Sequence, residues 1–158
     1  MTKNFRIVGL PLTEFEPLFS LNDEQLAQKA ARRMTVDAKP GFPCRVSLED
    51  AEIGEKVVLL PFTHHDVSSP YRASGPIFVR EHAKEARLAT DEIPDLVLNR
   101  TLSVRAYDTA GMMLNSDVVA GRELKLHIEK LFTNPKITYL HLHSAAAGCY
   151  SCKVERVD

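Results

Sequence analysis

His141 and His143 stand one residue apart near the C-terminus, and Cys149 and Cys152 follow three apart, so nitrogen and sulfur donors are concentrated between Tyr139 and Cys152. Zinc takes four such donors tetrahedrally, and a Cys-x-x-Cys pair can hold one ion from a tight turn. His141, His143, Cys149 and Cys152 are therefore a candidate Zn²⁺ set. The same residues allow a second chemistry, in which Cys149 is a nucleophile and His141 or His143 its base. An adjacent imidazole lowers a thiol from its free pKa of about 8.5, and Gly148 would let a ligand approach closely. That reading makes the protein a thiol-dependent hydrolase or transferase. A thioredoxin-type redox site is disfavoured, because there the motif opens a helix after a strand, and here a short strand follows.

A second place for chemistry is the polar, turn-rich stretch Thr63–Pro76. Tyr71, Arg72, Ser74 and the backbone at Gly75 could hold a small anionic ligand, arginine supplying a planar fork of donors and glycine admitting the main chain. The plainer reading is a solvated turn in which Arg72 pairs with a carboxylate. His64, His65 and Asp66 could add metal ligands, although adjacent histidines in a polar loop are more often simply exposed. Cys44, between Pro43 and Arg45, reads as a core cysteine.

The elements that must position these residues follow from periodicity. Phe5–Val8 is rich in β-formers and closes at Gly9-Leu10-Pro11. Asn22 is an N-cap with Gln25 at the capping-box position, opening a helix with Leu26, Ala27, Ala30, Ala31 and Met34 on one face and Arg32 and Arg33 in its last turn. Ser47–Gly54 suggests a brief helical turn. Lys56–Phe62 is a continuous apolar run of strand length, with Pro61 confining that end to an edge or a bulge. Ile77–Arg80 is another strand, and the charged segment Glu81–Glu92 leans towards helix.

Thr101–Tyr107 alternates cleanly, with Leu102, Val104 and Ala106 inward and Ser103, Arg105 and Tyr107 outward. Arg105 and Tyr107 then either pack under a helix or line a cleft. Glu123–Phe132 fits a helix over the longer window, with Asp117 available as its cap and Asn134-Pro135 as its stop. Ile137–His143 and Tyr150–Val157 finish the chain as two strands.

If the last two strands pair, their register decides the tail. With His143 opposite Tyr150 and His141 opposite Cys152, the histidines and Cys152 share a face and a site is built. With Leu142 opposite Tyr150, the apolar residues of both strands share the buried face and both histidines turn to solvent. Burial favours the second arrangement, because a one-residue slip reverses every side chain.

Composition bounds the rest. The 158 residues suffice for one domain over 1–158 with one core. With 20 Lys plus Arg against 21 Asp plus Glu there is no cationic excess to neutralise a phosphate backbone, which argues against nucleic acid. No apolar run approaches the ~20 residues of a membrane span, and Pro11 interrupts the N-terminus before a signal-peptide core, so a cytoplasmic protein is expected. Three cysteines is an odd count that suits reduced thiols or metal ligands better than a secreted disulfide framework.

Several segments together carry a resemblance: Phe42-Pro-Cys44-Arg45, Asp50–Glu55 before the apolar strand, Pro70-Tyr71-Arg72-Ala-Ser-Gly75-Pro76-Ile-Phe-Val79, Val104–Asp108, and the tail from His141-x-His143 through Gly148-Cys149-Tyr150 to Arg156. From about Phe42 to Arg156 the chain resembles the bacterial domain of unknown function 1203 family. That resemblance implies a single-domain bacterial protein and assigns no catalytic residue.

The sequence thus predicts an α+β domain with a mostly antiparallel sheet of five to six strands and two main helices. The functional expectation is a metal- or small-ligand-binding protein with a His/Cys site in the C-terminal hairpin, the alternatives being the thiol enzyme and an interaction domain.

Overall fold

The computed structural model describes residues 3–158. In chain order the elements are β1 (Phe5–Val8), α1 (Glu16–Phe19), α2 (Asp23–Gln28), β2 (Arg32–Thr35), β3 (Lys56–His65), β4 (Ala73–Arg80), α3 (Asp95–Leu98), β5 (Thr101–Tyr107), β6 (Met113–Ala120), α4 (Leu124–Leu131), β7 (Tyr139–Ser144) and β8 (Tyr150–Arg156). The strands form two antiparallel sheets, a five-stranded one in the order β1-β8-β7-β5-β6 and a three-stranded one in the order β2-β3-β4. The α+β class and the dominant antiparallel sheet are those expected.

Side-chain alternation gives the larger sheet two distinct faces. Leu102, Val104 and Ala106 of β5, Leu140 and Leu142 of β7, and Cys152 and Val154 of β8 point to one side, where they pack with Leu124, Ile128 and Leu131 of α4. This is the main core. The other face carries Ser103, Arg105, Tyr107, Tyr139, His141 and His143. The end of β3 comes down on it, since His65 lies against Tyr107 and Tyr139 with ring centroids 4.1 and 5.8 Å apart.

Several local expectations are corrected. The capping box at Asn22 forms, Asn22 accepting from the Gln25 N–H and the Gln25 side chain from the Asn22 N–H. The helix ends at Gln28, however, because Ala30 enters the left-handed region at φ 55° and Arg32–Thr35 turn into β2 along β3. Arg33 is held there by Glu81 and by the carbonyls of Phe19 and Leu21. Neither Ser47–Gly54 nor Glu81–Glu92 is helical; both are short turns joined by irregular chain. Asp117 does not cap α4: it lies in β6, with its Oδ1 accepting from the Val118 N–H at 2.8 Å. Pro61 sits where β2 has already ended, so the side of β3 facing away from β4 has no ladder partner there among the described residues.

Candidate metal centre

The site is assembled by two β-bulges, one in each sheet. On β3 the register with β4 runs Phe62↔Gly75 and then His65↔Ala73, leaving one extra residue on β3. Consecutive strand residues normally point to opposite faces, and a bulge re-aims one of them. His64 and His65 accordingly both face the larger sheet, His64 against His143 at 5.0 Å and His65 against His141 at 5.0 Å between ring centroids. Thr63, His64 and His65 thus belong to a strand, not to a loop, and the loop proper is only Asp66–Arg72.

The second bulge lies in the terminal hairpin, which keeps the His143–Tyr150 pair of the first expected register and beyond it follows neither of the two. His143 pairs with Tyr150, whereas Leu142 pairs with Cys152, so Ser151 is the extra residue of β8. Cys152 and Tyr150, two apart, would share a face on a regular strand. The bulge separates them. Cys152 joins Leu140 and Leu142 in the core with no exposure, and Tyr150 goes to the histidine face, 4.9 Å from His141 and 5.7 Å from His143 between centroids. His141 lies opposite Lys153, not Cys152. Neither histidine turns to solvent: they are 4% and 1% exposed between the two sheets.

His64, His141 and His143 each offer one ring nitrogen, and these atoms lie within 4.8 Å of one another. Each of the three also carries a buried ring nitrogen with no hydrogen-bond partner among the described residues: Nδ1 of His64, Nδ1 of His141 and Nε2 of His143. A buried polar atom left unpaired costs about 1–3 kcal/mol, so three in one place call for a cause. His143 is oriented for ligation, because its Nδ1–H donates to the Gly148 carbonyl at 3.0 Å and leaves Nε2 as the lone-pair nitrogen. A fourth buried orphan, Nε2 of His127, belongs to α4 on the other side of the sheet.

Burial also sets the protonation state. It pushes His64 and His143 down to about 4 and His141 to about 2, the other imidazoles and the positive charges of Arg105 and Lys153 adding to the effect. All three rings are therefore neutral at pH 7, the form that binds a metal. His65 differs: its Nδ1–H donates to the Tyr71 carbonyl at 2.8 Å and its Nε2 accepts from the Tyr139 hydroxyl at 2.6 Å, so both nitrogens are satisfied. It walls the site and braces His141. Burial raises the Tyr139 hydroxyl to about 12, which keeps it a donor.

Tetrahedral zinc with Zn–N bonds of ~2.0–2.1 Å places its nitrogens about 3.3 Å apart, so the three ring atoms would close by at most about 1.5 Å on binding.

The remaining candidates are placed elsewhere. Cys152 is sealed in the core, its thiol pushed up to about 12 by burial. Cys149 is half-buried, and its Sγ has no hydrogen bond to an imidazole among the described residues. Cys44 is buried in the second core cluster and Sγ accepts from the N–H groups of Ser47 and Arg80, each at 3.4 Å. Tyr71 contributes its carbonyl to His65, Arg72 forms an exposed ion pair with Asp66, and Ser74 bonds Thr63 at 2.9 Å between hydroxyls. Gly75 stands beside the site, where an added Cβ would lie 4.0 Å from Nε2 of His64.

His64 is the residue that spacing along the chain does not supply, since it lies 77 positions before His141. The only signal for it is the paired histidine at the end of an apolar strand, and only the packing of two sheets joins the two segments.

No helix among the described residues is long and apolar enough to cross a membrane. No curated protein and no solved structure matches the chain. The family described as "Protein of unknown function (DUF1203)" matches residues 41–156, a span that includes every residue of the histidine cluster, and the chain belongs to that family.

Proposed function

We propose that this is a metal-binding protein that holds one divalent transition-metal ion, zinc by donor type, on His64, His141 and His143. One observation carries the reading: three neutral imidazoles from two sheets, two of them buried and His64 half-buried, each hold a buried, unpaired nitrogen, and their ligand atoms lie within 4.8 Å of one another. Structural zinc sites are closed by four protein ligands, whereas three histidines leave a position for water or a substrate atom. The site is of this open kind, in which a bound ion would act as a Lewis acid and lower the pKa of a coordinated water. His143 is locked in its ligating tautomer by Gly148, and His65 with Tyr139 braces the wall around His141. The ligand set thus differs from a hairpin site with two cysteines, His64 standing where Cys149 and Cys152 were expected.

The setting we assign is the bacterial cytoplasm, which three free cysteines support. Elemental analysis of protein purified without a histidine tag from zinc-replete medium tests the function. About one equivalent of zinc per chain, lost in His143→Ala, is expected. Protein that is metal-free after such growth, and that takes up no zinc on titration, contradicts it.

A further inference from the structure

Arg105 stands beside the three histidines without a carboxylate. It pairs with His141 across β5 and β7, with Ser103 opposite His143, and Cα atoms of such antiparallel pairs are ~4.5–5.5 Å apart. Residues 103, 105 and 107 share a face, and on that face Tyr107 contacts His141 at 5.4 Å between ring centroids. The Arg105 Nε–H donates to the Ser103 hydroxyl at 3.2 Å, and among the described residues no ion pair joins its guanidinium to an acid. Arg80 and Arg100, similarly half-buried, are both paired with acids, Arg80 with Glu55 and Glu49 at 2.9 and 3.3 Å and Arg100 with Asp50 at 2.7 Å.

The charged side chains that act on the three histidines are cations. Arg105 acts on His64 and His143, and Lys153 on His141, each adding to what burial does to lower their basicity. Lys153 is itself occupied by Glu155 at 3.3 Å and by the Tyr139 ring at 5.0 Å from its centroid. A divalent ion on three neutral imidazoles would add two more positive charges, with no acidic ligand to offset them. A partly buried charge excess of that kind favours an anion.

We infer that the open position of the centre takes a small oxyanion, one oxygen on the metal and another accepting hydrogen bonds from Arg105. The inference rests on the three-histidine metal reading and adds the class of ligand to it. Two N–H groups of the planar guanidinium can converge on the remaining oxygen of a carboxylate or meet two oxygens of a phosphate, which a point charge does less well. Arg105 is the specificity-determining residue in this arrangement, and Ser103 fixes the direction in which the fork points.

The test uses the full chain loaded with Co²⁺, whose visible absorption reports its coordination, titrated separately with acetate and with inorganic phosphate. Metal per chain is measured in parallel by elemental analysis. At least one of the two anions should perturb the spectrum saturably, and Arg105→Gln should weaken its binding about tenfold or more while still holding one metal per chain, with Arg105→Lys in between. Equal anion affinity in wild type and both variants at full metal loading, or no spectral response to either anion, overturns the anion site and leaves the metal centre standing. Failure of the wild type to take up metal removes both.

Discussion

His64→Phe separates a metal centre from a cluster of packed rings, because the two accounts give it effects of opposite sign. His64 stacks on Tyr150 with ring centroids 5.2 Å apart and planes 6° apart, a contact that phenylalanine keeps. The substitution removes a buried Nδ1 that has no partner among the described residues. It costs no charge at pH 7, since His64 is held down to about 4, mainly by burial. Relief of one unpaired polar atom is worth about 1 kcal/mol at the low end of its range, so the metal-free variant should be as stable as the metal-free wild type or slightly more so. With zinc the order reverses. A structural zinc site is worth ~10–16 kcal/mol over four ligands, about 3 kcal/mol for each, so one lost histidine weakens binding by about two orders of magnitude. At a free zinc concentration of 100 Kd the wild type gains about 2.7 kcal/mol, and the variant only about 0.4. For a chain of this size that is a rise in Tm of about 5–10 °C against about 1 °C. Thermal or urea unfolding with zinc and with chelator reads both halves of the comparison. A variant destabilised by more than about 2 kcal/mol in chelator, with zinc shifting neither protein, would refute the reasoning and assign the rings to packing.

Metal-free protein should also lose stability on mild acidification. His141 and His143 have folded pKa values of about 2 and about 4, below the unfolded 6.5, so the unfolded state binds more protons and stability falls as pH drops below 6.5. From pH 6.5 to 5.5 the two together cost about 2 kcal/mol, and unfolding in chelator that is flat over that window contradicts the burial argument. Cys152→Ser places a hydroxyl in a fully buried apolar position and should cost about 1–3 kcal/mol in chemical denaturation while leaving metal stoichiometry unchanged. Cys149→Ser should change neither; loss of metal in either variant would return the cysteines to the ligand set.

The sequence made the strands of the larger sheet legible where one face is buried: Phe5–Val8, Thr101–Tyr107 and the terminal hairpin all alternate or carry β-formers. It concealed β6, whose residues are nearly all exposed at a sheet edge and so show no apolar period. It over-extended α2 because Ala30, Ala31 and Met34 keep helical spacing, whereas the unpaired side of β3 draws Arg32–Thr35 into a ladder. For the site, His141 and His143 were visible from their spacing, but the choice between two uniform registers had no room for the extra Ser151. A bulge shifts the register by one residue within a strand, so the hairpin keeps Leu142 and Cys152 in the core and still gathers His143 and Tyr150 on the other face. His64 and its distance in sequence belong to the packing of sheet on sheet, which no local pattern encodes.

The central claim is the ligand set, and anomalous diffraction at the zinc edge from crystals grown with zinc tests it most directly. The account predicts one strong peak about 2.0–2.1 Å from a ring nitrogen of each of His64, His141 and His143. A peak on Cys149, or none between the two sheets in protein that binds zinc in solution, would contradict it.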